Sequence, residues 1–244
     1  MDNTISRVMK EKLQTTNHDS LPHENDVRTG LAPQGLFITF EGSEGCGKST
    51  QIALLAEQLR AKYPAREIIL LREPGGTALG EQVRHLLQYA PDVKEMAPEA
   101  ELLLFAASRA QLVREVIRPA LARGAVVLCD RFLDSTTVYQ GVARALNTKD
   151  VALINHFATG GLLPDITILL DLEVSLGRER MKERNKKVTT VDRMEQETES
   201  FYEAVRQGYL ELASKDTGRW MVIDASLKPE EVTEQMMTCL KTRI

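Results

Sequence analysis

Gly42-Ser43-Glu44-Gly45-Cys46-Gly47-Lys48-Ser49-Thr50 carries the pattern G-x-x-x-x-G-K-[ST]. An apolar run, Leu36-Phe37-Ile38-Thr39-Phe40, precedes it, and an amphipathic run beginning Gln51-Ile52-Ala53-Leu54-Leu55 follows. Strand, glycine loop and helix in that order make a phosphate cradle. The glycines let backbone N–H groups point inward in conformations that a Cβ would forbid. Lys48 then reaches the β- and γ-phosphates, the Ser49 hydroxyl ligates Mg²⁺, and the helix offers the positive end of its dipole. Gly42 to Thr50 is read as a nucleoside triphosphate site. Cys46 within it reads as a small filler rather than a reactive group.

Outward from the loop, short apolar runs alternate with helical patterns, as in an α/β fold with a parallel sheet. Strands are expected at Leu36–Phe40, Ile68–Leu71, Ala125–Cys129, Ile166–Asp171 and Met221–Asp224. Helices are expected from the loop to about Lys62, then over 79–89, 98–122, 134–145, 148–159, 173–185, 192–214 and 229–242. Pro229 opens the last of these at its first turn. Residues 1 to about 34 are polar, with little to bury, and read as a disordered extension in which Ser6 to Leu13 can form a short helix. The single folded domain is then 35–244.

The chain has 244 residues, 43% of them hydrophobic, enough for a proper core. A net charge of −4 argues against a general nucleic-acid or anionic-membrane surface. Cys46, Cys129 and Cys239 are few, odd in number and widely spaced, as thiols of a reducing compartment are. No apolar run approaches the roughly 18 residues of a membrane span, and the N-terminus lacks a signal peptide's apolar core. A cytoplasmic protein is expected.

In an open parallel sheet, ligands sit beyond the carboxyl ends of the strands. The suspicious clusters fall there. Arg72-Glu73-Pro74-Gly75-Gly76-Thr77 follows the second strand, Asp130-Arg131-Phe132 the third, and Asp171 closes the fourth. Arg72, Arg109 and Arg131 on one rim suit a second phosphorylated substrate, since arginine holds phosphate bidentately. Asp130 and Asp171 both match the magnesium-organising acid of P-loop enzymes, and Arg131 beside Asp130 favours Asp130. Phe105 and Arg109 lie four apart on one helix. They read equally as core packing plus a solvated charge, or as a stacking ring and a base-reading guanidinium. Between Gly177 and Arg193 stand seven Lys/Arg against three acids, around an expected loop from Asn185 to Val191. That run is either a solvated helix face or a mobile lid whose arginines close over the transferring phosphoryl.

Five motifs in order give a more specific reading: Phe40-Glu41-Gly42 through Thr50, Arg72 through Thr77, Leu104-Phe105-Ala106-Ala107-Ser108-Arg109-Ala110-Gln111, Asp130 through Gly141, and Asp192-Arg193-Met194-Glu195. From about Gly35 onward the chain closely resembles the thymidylate kinases, P-loop nucleoside monophosphate kinases with a five-stranded parallel sheet flanked by helices and a mobile lid, here about 178–193. The resemblance implies transfer of the γ-phosphoryl of ATP to dTMP, with Mg²⁺ as cofactor, in a cytoplasmic homodimer. It further implies that Lys48, Ser49 and Thr50 hold ATP phosphates and magnesium, with Asp130 the acid on the metal. Glu44 would meet the sugar 3′-hydroxyl, and Arg72 and Arg131 the dTMP phosphate. Phe105 would stack on thymine, Arg109 and Thr136 read its polar edge, and Tyr139 lie under the deoxyribose with Gln140 beside it. In this family a catalytic arginine comes from the P-loop or from the lid. The P-loop position is Gly45 here, so Arg180 or Arg184 would supply it. Phe132, where Tyr or His is common, is a small departure.

No general base is needed, because a phosphate oxygen with a second pKa of about 6 is largely ionised at pH 7. Catalysis should be positioning plus charge neutralisation. Rival readings are a P-loop kinase for another nucleotide or small acceptor, a GTP switch protein, and an ATPase motor on nucleic acid. The guanine signature Asn-Lys-x-Asp is missing, since Asn147-Thr148-Lys149-Asp150 has the letters in the wrong order.

Overall fold

A computed structural model describes residues 34–89, 95–186 and 193–241. The polar extension with its Ser6–Leu13 helix, and the middle of the lid, 187–192, lie outside the described residues.

Five parallel strands form one sheet in the order β2-β3-β1-β4-β5. They are β1 (Leu36–Glu41), β2 (Ile68–Arg72), β3 (Val126–Asp130), β4 (Ile166–Asp171) and β5 (Trp220–Asp224). The chain order reverses between β1 and its neighbours β3 and β4, so the loops after these strands open the crevice where such sheets bind ligands. Side chains alternate across β1. Ile38 and Phe40 face a core with Ile52, Leu55 and Leu59 of α1 (Lys48–Lys62) and Met236 of α9 (Pro229–Leu240). Phe37 faces the opposite core, with Leu112, Val113 and Ile117. Thr39 and Glu41 share the face of Phe37, and the Thr39 and Thr167 hydroxyls, 3.1 Å apart, satisfy each other.

Three helical expectations needed correction. The span 98–122 is α3 (Pro98–Leu112), a π-helical stretch Val113–Ile117, then α4 (Arg118–Ala122). The cause is Pro119, which has no N–H for the ordinary i−4 bond, so Arg118 N reaches back to Val113 O instead. The span 134–145 is a single turn, α5 (Leu133–Thr136), passing into a second π-helical stretch, Thr137–Ala143. The wider turn lets four successive residues, Val138 to Gly141, all face inward. The span 192–214 divides into a 3₁₀ turn, Arg193–Gln196, and α8 (Glu199–Lys215), where the Thr198 hydroxyl caps Phe201 N at 3.2 Å. Thr198 before Glu199 is a readable N-cap signal. The remaining helices, α2 (Ala78–Gln88), α6 (Thr148–Thr159) and α7 (Val174–Asn185), lie within a residue of expectation.

Candidate active site

The loop between β1 and α1 builds the floor. Gly47 takes φ 91° and caps α1 with no side chain, so the helix's first N–H groups are left facing the loop. Lys48 is buried and donates from Nζ to Gly42 O at 3.0 Å and Ser43 O at 2.9 Å. Its ammonium therefore lies across the inside of the loop. The Ser49 hydroxyl donates to Asp130 Oδ2 at 2.9 Å. Asp171, the alternative acid, is held bidentately by Arg206 at 2.7 and 3.0 Å. A carboxylate already committed to an arginine is a poor metal ligand, so the geometry favours Asp130.

The loop also meets α7, which carries the first part of the expected lid. A Cβ on Gly45 would lie 2.2 Å from Gly177 O, and one on Gly177 would lie 2.7 Å from Glu44 O. Two glycines thus allow α7 to touch the phosphate loop backbone to backbone. Gly45, at φ 76°, has room for no side chain. Arg180 and Arg184, four apart on α7, line the cavity beyond this contact. Arg180 donates to Ala225 O at 3.1 Å, and Arg184 pairs with Glu195 at 2.5 Å. Gly177→Ala is expected to push α7 off the loop and lower kcat at least about tenfold. Gly177 is the fourth residue of α7, where the up to about 1 kcal/mol of helix propensity gained by Ala offsets part of the clash, so Tm should fall by no more than a few degrees. Unchanged kcat would refute the need for this contact.

Beside the loop stands Arg131, held by an unusual backbone: φ is 69° at a non-glycine residue. Its guanidinium donates to Glu44 Oε1 at 2.5 Å, Gly42 O at 3.1 Å, Ser135 Oγ at 3.2 Å and Tyr209 OH at 3.3 Å. It also lies over the Tyr139 ring, 5.0 Å from the centroid. Burial opposes ionisation of Glu44, yet Arg131 and Lys48 outweigh it and hold the carboxyl down at about 2. Beneath them, burial pushes the Glu41 carboxyl up to about 7; Asp134 adds to this, while Ser135, Arg131 and Tyr209 oppose it.

The far end of the cavity holds Phe105, Thr136, Tyr139 and Gln140, with Arg72 at its edge. Tyr139 OH is buried without a protein partner. Gln140 donates to Glu101 Oε1 at 2.7 Å. Arg72 pairs with Glu81 at 3.0 Å, and that carboxylate also accepts from Gly76 N at 2.8 Å, which fixes the loop after β2. Arg109 is not a solvated charge: it is 1% exposed. Its donors go to Glu73 Oε2, Thr136 Oγ1, Asn155 Oδ1 and Phe132 O at 2.7–3.1 Å. Nε donates to Glu73 Oε2 and Nη2 lies 2.7 Å from the same oxygen, while Arg109 still lines the cavity. At the opposite end, Ala225, Leu227, Pro229 and Val232 form an apolar wall that the sequence reading missed. Nothing distinguishes these four in sequence from ordinary core. The whole cavity measures about 850 Å³, near the top of the roughly 300–1,000 Å³ range of ligand sites, as two substrates require.

A phosphate loop on the floor of one cavity with room for two substrates is the layout of a nucleotide kinase, and the comparisons agree on which. The family profile described as thymidylate kinase matches residues 40–236. The chain belongs to the thymidylate kinase family. The thymidylate kinase of Desulfovibrio desulfuricans is 49% identical over 211 residues, 84% of this chain and 95% of that one. That of Pseudomonas putida is 50% identical over 198 residues, covering 81% and 91%. The crystal structure of thymidylate kinase from Ehrlichia chaffeensis superposes with a TM-score of 0.70 at 33% identity, over 86% of this chain and all of that one. The thymidylate kinase reaction follows: the chain is an ATP:dTMP phosphotransferase, forming dTDP and ADP. The switch-protein and motor readings fall with that assignment.

Proposed function

We propose that the two nucleotides lie end to end across the Gly42–Thr50 loop, and that Arg131 and Lys48 bring their phosphates together. The carrying observation is the position of Arg131, which touches both the loop carbonyl Gly42 O and Glu44 while stacked on Tyr139. dTMP takes the end with Phe105 and Tyr139. Its base stacks on Phe105, and the Thr136 hydroxyl, which accepts from Arg109, keeps its own proton for a base carbonyl. Glu44 meets the sugar 3′-hydroxyl, Tyr139 lies beneath the deoxyribose with Gln140 beside it, and Arg72 and Arg131 take the monophosphate. ATP lays its phosphates on the loop residues Gly42 to Thr50, with its base toward Leu227 and Val232.

The attacking dTMP phosphate oxygen is already ionised near neutral pH, so the chain's task is to align it and spread the charge of the transferring group. Lys48 neutralises the β–γ side, Arg131 the acceptor side. Arg184, close enough to Glu44 to help lower its pKa, is the lid residue placed over the seam. Arg180, bonded to Ala225 O, belongs to the ATP end. Ser49 Oγ and Asp130 Oδ2 are hard oxygen donors of the kind Mg²⁺ takes; they would hold the ion, which would supply positive charge against the ATP phosphates. Asp130→Asn should raise the Mg²⁺ concentration for half-maximal rate at least about tenfold, while Asp171→Asn should not. Equal shifts in a magnesium titration of both variants would refute the assignment.

A coupled assay across dTMP, dUMP, dCMP, AMP and thymidine tests the acceptor reading. Equal or better turnover of any other acceptor would overturn it.

The homodimer rests on one surface. Leu103 of α3, Leu153 and Phe157 of α6, and Leu79 and Leu86 of α2 are exposed on three helices that pack side by side, Phe157 being 88% exposed. Such a patch marks an interface. Phe157→Glu should convert a dimer to a monomer in sedimentation velocity. A wild-type monomer, or a dimer unmoved by the change, would remove this face from consideration. Among the described residues no helix is long and apolar enough to cross a membrane, and Cys46 and Cys129 are buried thiols, both in keeping with a cytoplasmic enzyme.

A further inference from the structure

Glu41 ends β1 with its side chain fully buried and outside the cavity, yet it accepts three hydrogen bonds around Arg131. Phe132 N donates to Oε1 at 2.9 Å, while Ser135 Oγ and Tyr209 OH donate to Oε2 at 2.6 and 2.9 Å. The first of these pins the residue next to Arg131 and so helps hold the φ of 69°. The other two draw both hydroxyl protons to the carboxylate, although the hydroxyls themselves lie 2.8 Å apart, within reach of donating to one another. Ser135 and Tyr209 are also acceptors for Arg131 Nη1, at 3.2 and 3.3 Å.

A hydroxyl has one proton and two lone pairs. With that proton committed to the Glu41 carboxylate, the lone pairs of both oxygens are free to face the guanidinium. We propose that Glu41 is a positioning residue for the phosphoryl transfer: its carboxylate orients the Ser135 and Tyr209 hydroxyls so that both accept from Arg131. The inference rests on the reading of Arg131 as the group that joins the two phosphates. An apolar residue would support the strand equally well, but the two hydroxyls, 2.8 Å apart, would then have only each other to donate to, which turns one proton toward Arg131, and Phe132 N would lack an acceptor.

Glu41→Gln tests this with no change in size. If the amide nitrogen faces the hydroxyls, it donates to them, and a hydroxyl proton is turned toward Arg131. If the amide is flipped, the same nitrogen meets Phe132 N, donor against donor. Either way one arm of the support is lost, and Arg131 loses its fixed position. Misplacement of a charged group on this scale costs about 10²-fold in rate, so kcat should fall by about that factor at pH 8. Affinity for a non-hydrolysable ATP analogue should stay within about twofold, because no Glu41 contact reaches the ATP end. Arg131→Ala should cost on the order of 10³-fold. The double variant should be no slower than Arg131→Ala alone, since Glu41 acts only through that side chain.

Glu41→Gln within twofold of wild type would overturn the proposal. So would a double variant in which the two losses multiply, which would make Glu41 a general structural support. Arg131→Ala near wild type would overturn the parent reading and this inference together, whereas a slow Arg131→Ala beside a normal Glu41→Gln would remove only the inference. Should Glu41→Gln fail to fold, Tyr209→Phe deletes one oriented hydroxyl and keeps the ring. It should lower kcat several-fold with an unchanged Tm, and unchanged kcat there overturns the proposal equally.

Discussion

Arg109→Ala should lower the unfolding free energy by about 3–5 kcal/mol, because it strands a buried carboxylate rather than merely deleting a ligand contact. Glu73 is 5% exposed, and its Oε1 has no hydrogen-bond partner even in the intact protein. Burial has already pushed its carboxyl up to about 7 against the pull of Arg109. Remove Arg109, and Glu73 must take up a proton or remain charged in an apolar setting. Phe132 O, Asn155 Oδ1 and Thr136 Oγ1 lose their donor in the same step. For a chain of this size, each kcal/mol is worth roughly 2–4 °C, so calorimetry should show Tm falling by about 10 °C. The dTMP KM should rise as well, since Thr136 is released from the position in which it meets the base. Arg109→Lys should rescue little, because an ammonium cannot span Glu73, Thr136 and Asn155 as the planar fork does. A Tm within 2 °C of wild type would show that the buried pair is worth far less than this.

Lys48→Ala should behave in the opposite way, with a large loss of rate and little loss of stability. Its ammonium satisfies Gly42 O and Ser43 O, but Lys48 itself lines the cavity, so water can enter the space its side chain leaves. What water cannot replace is a fixed positive charge beside the transferring phosphoryl. Loss of one such preorganised group costs about 10²–10³-fold in kcat, and the dTMP KM should change by no more than a few-fold. Steady-state kinetics with both substrates varied separates these quantities. A loss below tenfold, or a main effect on dTMP, would contradict the placement of Lys48 on the triphosphate side.

The two variants divide the site along the line that separates what was legible in sequence from what was not. Lys48 and Ser49 were readable because a phosphate cradle is local: strand, glycines and helix start lie within one stretch, and backbone geometry there follows from residue type. The five strands were readable for the same reason, as short apolar runs bounded by loops. The preference for Asp130 over Asp171 rested in sequence on the neighbouring Arg131 alone, whereas the pairing of Asp171 with Arg206, a residue far along the chain, was not legible there. Arg109 looked equally like a surface charge and a base reader. Only the packing of α3 against α5 and α6 brings Glu73, Thr136 and Asn155 around it. The π-helical turn at Thr137–Ala143 had no period to betray it, yet it turns both Tyr139 and Gln140 inward.

From its sequence alone, this chain reads as a P-loop kinase with a parallel sheet and a basic run after the fourth strand, and its family resemblance gives Gly45 its meaning. Those features are encoded by neighbours in the chain. Tertiary structure decided the rest, because side-chain charge, proton direction and exposure depend on groups distant in sequence. It placed Gly45 against Gly177, so that the loop position has no space for an arginine, while Arg180 and Arg184 of α7 line the cavity. It gathered Glu41, Ser135 and Tyr209, from one strand and two helices, under a single guanidinium.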